Sequence, residues 1–212
     1  MGKSIQEIID FLESLPSTWK GHKDFAIWLV KKMKPSVIVD LGVAYGFSTF
    51  ILASPKIGKV YGIDWFKGDE LSGWDDNEEN VLVILGVLRE RFNINNVEII
   101  KGKFSEVAKI WKLPIDILHI DGSHLYEDVK RDYETWSKFV KKDGVILFHD
   151  IEIPPELIES EFGNKFGVKR FFDEIDLPKF KFLHSFGLGV VSKDKSIIDK
   201  IKKKYENKYR LW

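Results

Sequence analysis

The stretch VIVDLGVAYGFS, residues 37–48, decides the fold of this chain. Val37 to Leu41 form a short β-branched run, and a helical stretch begins at Ser48. Between them, Gly42 and Gly46 allow the backbone to turn tightly and to approach a ligand closely. Such a turn at the carboxyl end of a strand is where α/β sheets bind cofactors. The stretch therefore predicts a strand, a ligand-binding loop and a helix.

The same alternation continues along the chain. Further short apolar runs at 60–64, 97–100, 115–120 and 144–148 predict strands, and the segments 78–92, 104–111 and 125–140 between them predict helices. Strands that alternate with helices form a mainly parallel sheet, and near-continuous apolar strands indicate that helices cover both faces. Two later runs, 180–184 and 188–192, are too close for a parallel crossover and must be antiparallel if they pair. We therefore predict a doubly wound α/β sheet that is mainly parallel with an antiparallel C-terminal strand.

The chain reads as a single domain, residues 1–212. Residues 1–34 contain two helices, 35–192 form the Rossmann-like core, and 193–212 form a basic C-terminal helix. A length of 212 residues fits one α/β domain, and neither a linker nor an internal repeat interrupts it.

Composition excludes several classes of function. The 33 Lys and Arg balance 33 Asp and Glu, so the chain has no overall charge that would attract nucleic acid or an anionic membrane. The chain has no cysteine, which removes disulfides, thiolate metal sites and thiol nucleophiles. No apolar run approaches the roughly 18 residues that span a bilayer, and a cytoplasmic location is expected.

Two acidic strand ends strengthen the case for a cofactor site. Asp40 lies before the glycine loop, and Asp64 ends the second predicted strand, where a carboxylate can accept hydrogen bonds from both ribose hydroxyls. The loop matches neither the P-loop pattern nor a clean GxGxxG fingerprint. The glycine pair alone would also fit an ordinary structural turn.

Asp40-x-Gly42-x-Ala44-x-Gly46 resembles motif I of class I S-adenosylmethionine-dependent methyltransferases, with Ala44 in place of the middle glycine. The closing antiparallel hairpin resembles the end of that family's seven-stranded sheet. The resemblance implies S-adenosyl-L-methionine as cofactor. Its implied contacts are Asp40 (as a support for the loop), Gly42, Ala44, Tyr45, Gly46, Ser48, Asp64, Trp65, Gly102, Lys103 and Phe104.

A second set of polar residues follows the fourth and fifth predicted strands. IDGSH, residues 120–124, supplies Asp121 and His124, and GVILFHD, residues 144–150, supplies His149 and Asp150. Both strand ends lie at the cofactor edge of a doubly wound sheet. Carboxylates with a histidine suit a hard divalent cation better than zinc. Alternatively, Asp121 merely caps a helix and Asp150 serves a turn.

These two segments, with Gly167–Phe172 and Gly187-Leu-Gly189, resemble the macrocin O-methyltransferase and cephalosporin hydroxylase-like branch of the same fold. The branch contains sugar O-methyltransferases that need a divalent metal. By this resemblance Asp121, His149 and Asp150 are metal ligands for Mg²⁺ or Mn²⁺, and His124 and Asp121 are catalytic, with His124 as general base. The ligand role of His149 stays open, because catechol-type relatives place a carboxylate or amide there.

The expected function is metal-dependent O-methylation of a sugar hydroxyl, free or in a glycan or glycosylated small molecule. Methylation of a catechol-like phenol and a non-catalytic adenosyl-binding module are the alternatives. Nucleic-acid and membrane partners are not expected, whereas a homo-oligomer and a place within a larger glycan-modifying protein stay open. Trp74 and Phe162 are candidates for stacking on the acceptor. His119 reads as a core residue, and His22 and His184 have no evident partners in sequence, although His22 precedes the second helix and is a candidate to border the cofactor pocket.

Overall fold

A seven-stranded sheet forms the centre of the computed structural model, which describes residues 4–68, 76–157 and 166–206. Its strands are β1 (Val37–Leu41), β2 (Lys59–Asp64), β3 (Val97–Lys101), β4 (Ile115–Ile120), β5 (Val140–His149), β6 (Lys179–Phe182) and β7 (Leu188–Val191). Their order in the sheet is β3-β2-β1-β4-β5-β7-β6. Only β7 runs antiparallel to its neighbours, β5 and β6. The predicted doubly wound, mainly parallel fold is therefore confirmed.

Helices cover both faces of this sheet. They are α1 (Ile5–Leu12), α2 (Lys23–Met33), α3 (Phe47–Ala53), α4 (Glu78–Phe92), α5 (Phe104–Ile110), α6 (Tyr126–Trp136), the single turn α7 (Pro155–Leu157), α8 (Val168–Glu174) and α9 (Lys195–Tyr205). Two short 3₁₀ helices, Thr18–His22 and Ser137–Phe139, precede α2 and β5. Within the described ranges, no helix is both long and apolar enough to cross a membrane.

The apolar residues of the strands divide into two cores. Ile38 and Ile117 face the layer that contains α1 to α4 and α9, whereas the adjacent pair Val39 and Leu118 face the layer of α5, α6 and α8. All four strand residues are fully buried. Burial of both faces explains why these strands are almost continuously apolar in sequence.

Strand register brings the polar strand ends to one edge. Leu41 pairs with Ile63 of β2 and with Ile120 of β4, so Gly42, Asp64 and Asp121 follow at the same level. Ile120 in turn pairs with Phe148 of β5, which places Asp121 beside His149. The candidate site is assembled by this register.

The boundary between α6 and β5 differs from the expectation. The predicted helix 125–140 ends as an α-helix at Trp136, and β5 begins at Val140 rather than at Gly144. Val140 pairs with Ile115, and the register then shifts before Ile117 pairs with Val145. This irregularity inserts the polar residues 141–143 into the strand, and they concealed its beginning in the sequence.

Candidate active site

The loop after β1 is a tight turn that packs against the loop after β4. Gly42 and Gly46 have φ angles of 99° and 89°, and Ala44, at the middle-glycine position of the motif, is also left-handed with φ 46°. A Cβ atom on Gly42 would lie 1.9 Å from the carbonyl oxygen of Asp121. Only glycine permits this contact, so the loop after β1 and the loop after β4 are fixed against each other.

Asp40, near the end of β1, supports the loop through buried hydrogen bonds. Its side chain is fully buried, and Oδ2 accepts hydrogen bonds from Ser48 Oγ at 2.8 Å and Thr49 Oγ1 at 2.5 Å. Oδ1 lies 2.6 Å from Nδ1 of His119. Trp19 Nε1 donates to the other ring nitrogen of His119, Nε2, at 3.1 Å. Since Nε2 accepts, the proton of His119 is on Nδ1, and a neutral imidazole donates to Asp40.

Asp64 connects β2 to the same loop. Its Oδ2 accepts backbone N–H groups of Val43 at 2.8 Å and Ala44 at 3.0 Å, and its Oδ1 accepts that of Phe66 at 2.8 Å. Each carboxylate oxygen has a second lone-pair direction. Asp64 can therefore hold the loop and still accept a hydrogen bond from a ligand hydroxyl.

A cavity of about 810 Å³ opens at this edge of the sheet, which is the size of a small-molecule site. Nine of the predicted cofactor contacts line it: Gly42, Ala44, Tyr45, Ser48, Asp64, Trp65, Gly102, Lys103 and Phe104. Asp40 and Gly46 do not, because Asp40 is buried beneath the loop and Gly46 packs against Phe50. All four residues of the predicted catalytic set also line the cavity.

That catalytic set forms one contiguous cluster. Nε2 of His124 lies 2.8 Å from Oδ2 of Asp150. Nδ1 of His149 lies 3.1 Å from Oδ1 of Asp150 and 3.4 Å from Oδ1 of Asp121. The His124 ring stacks on Phe166 with 5.0 Å between ring centres. Asp150 has a left-handed backbone with φ 61°, which costs energy for a residue with a side chain and is typical of functional sites.

The charges in this cluster stabilise one another. Burial by itself lowers the pKa of His149, but Asp121 and Asp150 more than compensate and raise the pKa to about 10. Burial likewise opposes ionisation of Asp150, yet His149 and His124 hold the pKa of that carboxyl well below its usual range. The cluster is thus a protonated histidine between two carboxylates.

Ligand atoms of Asp121, His124 and Asp150 all lie within 4.8 Å of one another, which fits the coordination sphere of a single metal ion. His149 is differently placed from the predicted ligand set. Its Nδ1 faces the two carboxylates, and its Nε2 lies 3.1 Å from the carbonyl oxygen of Ser185. Both ring nitrogens therefore face acceptors, which leaves no lone pair for a metal in this arrangement. The ligand role of His149 stays a prediction.

From the sequence, His22 was a candidate to border the cofactor pocket, because it precedes the second helix, whereas His184 was not expected in this region. His22 is fully buried, its Nε2 lies 3.1 Å from the Ser185 carbonyl, and its ring stacks on His184 with 4.7 Å between ring centres. Burial, with help from His149 and His184, lowers the pKa of His22 to about 2. All five histidines of the chain thus lie in or next to the site, although they come from separate elements.

Other residues that line the cavity were also missed. They come from the segment Pro16–Trp19 and from one face of α6, where Asp128, Arg131 and Asp132 are three and four residues apart. Polar residues with helical spacing could have signalled this face of α6. Trp74 and Phe162, the expected acceptor contacts, lie outside the described residues.

The sheet order, the glycine loop and the acidic strand ends define the class: a Rossmann-like methyltransferase. The protein family described as "Methyltransferase domain" matches residues 39–151, which include the loop and the whole catalytic set. The chain belongs to this family and is an enzyme of the methyltransferase type.

Curated relatives extend the similarity beyond that segment. An uncharacterized protein of Sinorhizobium fredii is 31% identical over 191 residues, which are 86% of this chain and 20% of that protein. An uncharacterized protein of Acanthamoeba polyphaga mimivirus is 33% identical over 123 residues, 54% of this chain and 51% of that protein. The chain spans about a fifth and about half of the length of these two relatives.

Solved structures share the fold at low sequence identity. An O-methyltransferase from Bacillus cereus in complex with S-adenosylhomocysteine has a TM-score of 0.64 at 19% identity, over 91% of this chain and 93% of that one. A second similar structure is the O-methyltransferase TomG of Streptomyces achromogenes, which is involved in tomaymycin synthesis and was solved with S-adenosylmethionine. It has a TM-score of 0.60 at 15% identity, over 82% of this chain and 80% of that one. At this level of sequence identity, the similarity to these structures establishes a common fold and nothing more.

Proposed function

We propose that this enzyme is an S-adenosylmethionine-dependent O-methyltransferase that acts on a sugar hydroxyl with the help of a divalent cation, Mg²⁺ or Mn²⁺. One observation carries the proposal: the glycine loop and the Asp121–His124–Asp150 cluster line the same cavity and are in contact through Gly42 and Asp121. A methyl donor held by the loop would therefore lie next to groups that can activate a hydroxyl.

The cofactor assignment is supported by the lining of the cavity. Gly42, Tyr45 and Ser48 are available to the methionine end, Asp64 to the ribose, and Gly102, Lys103 and Phe104 to the adenine. The Bacillus cereus and Streptomyces achromogenes proteins bind this cofactor or its product on the same fold. When bound, S-adenosylmethionine supplies an electrophilic methyl group, and the protein supplies its position.

The donor set fits a hard divalent cation, since two carboxylates and an imidazole are grouped in the wall of the cavity. We assign Asp121 and Asp150 as ligands. His149 acts as a brace that holds both carboxylates, as its contacts on both ring nitrogens indicate. When bound, the cation supplies positive charge that favours ionisation of the acceptor hydroxyl.

His124 is the general base in this proposal. A hydroxyl that enters beside the cluster delivers its proton to Nδ1 of His124, the ring nitrogen that does not face Asp150, while Nε2–H donates to Oδ2 of Asp150 at 2.8 Å and this carboxylate stabilises the resulting imidazolium. Stacking on Phe166 keeps the imidazole ring in this orientation. A sugar hydroxyl ionises poorly at neutral pH, which is why both a base and a cation are useful.

The choice of a sugar acceptor depends on the resemblance to the macrocin O-methyltransferase branch. The glycines of its later motifs pack closely in the structure: a Cβ on Gly167 would lie 2.4 Å from Cβ of Tyr126, and one on Gly189 would lie 2.4 Å from Cε2 of Phe172. Gly167 also donates its backbone N–H to the carbonyl of His124 at 2.8 Å. These motif residues therefore help to shape the loop that carries the base.

The test measures methyl transfer to a panel of deoxysugars and catechols, with Mg²⁺, Mn²⁺ or a chelator. We expect cation-dependent transfer to a sugar; transfer to catechols alone would assign the enzyme to the phenol-methylating alternative. Asp121→Asn should lose cation-stimulated turnover while S-adenosylmethionine affinity stays near that of the wild type. Asp199→Asn, at an exposed position on α9, is the control. Wild-type turnover that is unaffected by the chelator would overturn the metal assignment.

His124→Gln separates the two roles open to this imidazole. As a base, its loss should reduce turnover and leave the affinity for Mn²⁺ unchanged. If Mn²⁺ affinity falls as strongly as turnover, His124 is a ligand and not the base.

A further inference from the structure

His22 is a buried imidazole that the proposed reaction does not use. It ends the 3₁₀ helix Thr18–His22 in front of α2 and is fully buried. Its Nε2 lies 3.1 Å from the carbonyl oxygen of Ser185, and its Nδ1 has no hydrogen-bond partner within the described part of the chain. Burial keeps this imidazole neutral, since it lowers the pKa of His22 to about 2. Because a carbonyl oxygen only accepts, the one ring proton of His22 is on Nε2 and is donated to Ser185.

The same carbonyl oxygen accepts a second hydrogen bond, from the catalytic cluster. Nε2 of His149 also lies 3.1 Å from the oxygen of Ser185. A carbonyl oxygen has two lone pairs, so both imidazoles can donate to it at the same time. The rings of His22 and His149 meet edge to face, with 5.5 Å between ring centres. Ser185 therefore joins a buried residue of the N-terminal segment to a residue of the site.

The turn that carries this carbonyl, residues 184–187 between β6 and β7, is strained. Its last three residues have φ angles of 51°, 63° and 82°, and the first two of these carry side chains, for which the left-handed region costs energy. Asp150 and Glu152 donate their backbone N–H groups to the carbonyls of Gly187 and Phe186, at 3.1 Å and 2.8 Å. Strain of this kind persists only where the surroundings hold it. The direction of the carbonyl is thus set by its neighbours and by the hydrogen bonds that it accepts.

From His149 the contacts continue to both carboxylates of the proposed cation site. Its Nδ1 lies 3.4 Å from Oδ1 of Asp121 and 3.1 Å from Oδ1 of Asp150. His22 itself does not line the cavity, so it reaches these groups only through the Ser185 carbonyl and the His149 ring. Contacts that orient the ligands of a metal without binding the metal commonly change metal affinity or activity when they are lost.

We propose that His22 is a positioning residue of the enzyme: its Nε2–H holds the Ser185 carbonyl in the orientation that fixes the ring of His149. His149 in turn places the carboxylates of Asp121 and Asp150. This inference rests on the proposed function, because it takes these two carboxylates as the ligands of the cation. The role requires a hydrogen-bond donor at the place of Nε2, whereas a purely structural role requires only a side chain that fills the space.

Two substitutions of His22 separate these roles. His22→Phe fills the space without a donor, whereas His22→Gln retains an N–H group near the position of Nε2. Steady-state kinetics and calorimetric titration with Mn²⁺ measure the effects. His22→Phe should lower kcat and Mn²⁺ affinity by about 10-fold or more, and leave the KM for S-adenosylmethionine within about 3-fold of that of the wild type. His22→Gln should keep both kcat and Mn²⁺ affinity within about 3-fold of the wild type.

Phe25→Leu is the matched control for a loss of packing. Phe25 is buried in α2 and packs against Phe182, which also contacts the ring of His22, but Phe25 does not line the cavity. The substitution should lower the temperature of thermal unfolding and leave kcat and Mn²⁺ affinity unchanged. If Phe25→Leu loses as much turnover and Mn²⁺ affinity as His22→Phe, the role of His22 is structural and the proposal is wrong.

NMR of the wild type labelled with ¹⁵N-histidine tests the hydrogen bond independently of activity and of whether His22→Phe folds. The signals of His22, assigned by their loss in His22→Gln, should show a proton on Nε2 and none on Nδ1. A proton on Nδ1 alone overturns the proposal. Wild-type kcat and Mn²⁺ affinity in folded His22→Phe also overturn it and leave the proposed function intact. A wild type that neither transfers methyl groups nor binds Mn²⁺ overturns the proposed function and this inference with it.

Discussion

Gly42 is the residue at which the cofactor loop and the catalytic loop meet. Its φ angle of 99° lies in the region that favours glycine, and its α-carbon faces the carbonyl of Asp121. The loop gains a second attachment through Asp64, which accepts the N–H groups of Val43 and Ala44. Any side chain at position 42 would have to displace the segment that carries Asp121.

Gly42→Ala should therefore reduce both stability and cofactor affinity. Left-handed strain alone costs about 1–2 kcal/mol for a residue with a Cβ, and the clash with the Asp121 backbone adds to it. Chemical denaturation and calorimetric titration with S-adenosylhomocysteine measure the two effects.

Gly86→Ala is the matched control, because Gly86 lies within α4 and a Cβ there would meet nothing within 4 Å. It should stabilise the protein by about 0.5–1 kcal/mol. If Gly42→Ala behaves like this control, the proposed close contact between the two loops is absent in solution.

At the scale of elements, the 3₁₀ helix Thr18–His22 connects the N-terminal segment to the sheet. Trp19 is 1% exposed, lines the cavity and donates to His119 of β4, which in turn donates to Asp40 of β1. Asp40 holds Ser48 and Thr49 at the beginning of α3. One chain of hydrogen bonds thus joins a wall of the cavity to the helix behind the cofactor loop.

Trp19→Phe should destabilise the protein by about 1–3 kcal/mol, because Nε2 of His119 would be left without its donor in a fully buried site. The free energy of unfolding from denaturant titration is the appropriate measurement. Trp28→Phe also removes an indole nitrogen, but on the partly buried face of α2, and should cost clearly less. Equal losses in the two variants would argue against the hydrogen-bonded chain.

At the scale of the whole molecule, the histidines have opposite charge states within one region. His149 is held protonated by Asp121 and Asp150, whereas His22, stacked on His184 and near His149, is held neutral. The neutral state of His22 has a consequence for folding. In the unfolded chain His22 takes up a proton near its ordinary pKa of 6.5, but in the folded protein it does so only near pH 2.

Through His22, the folded state therefore loses stability relative to the unfolded state as the pH falls below 6.5. This one group should account for about 2 kcal/mol between pH 7 and pH 5. His22→Phe should reduce the loss of stability on acidification, as measured by denaturant titrations at both pH values. Trp28→Phe, which changes an aromatic residue of α2 without removing a titratable group, is the control. If the wild type and His22→Phe lose equal stability, His22 is not neutral in the folded protein.

Much of the fold was determined locally, by patterns that one element carries within itself. The apolar run 37–41, the glycine turn after it and the close pair of C-terminal strands each specify their own conformation, and the alternation of strands with helices predicts a mainly parallel sheet. The polar residues at strand ends were also readable, because parallel strands present their carboxyl ends at one edge. Asp64, Asp121, His124, His149 and Asp150 could therefore be predicted to meet at one cavity.

Only the tertiary structure decided which of these groups contact one another and what else joins them. Trp19 and His119 are 100 positions apart, and His22 reaches the site through a carbonyl 163 positions away, so no local pattern records either contact. The charge of His149 and the neutrality of His22 likewise depend on burial and on neighbours from other elements. A side chain's burial and its long-range partners are properties of the packed molecule. The sequence could therefore predict at which edge of the sheet the site lies, but only the tertiary structure determined the contacts and charges of its groups.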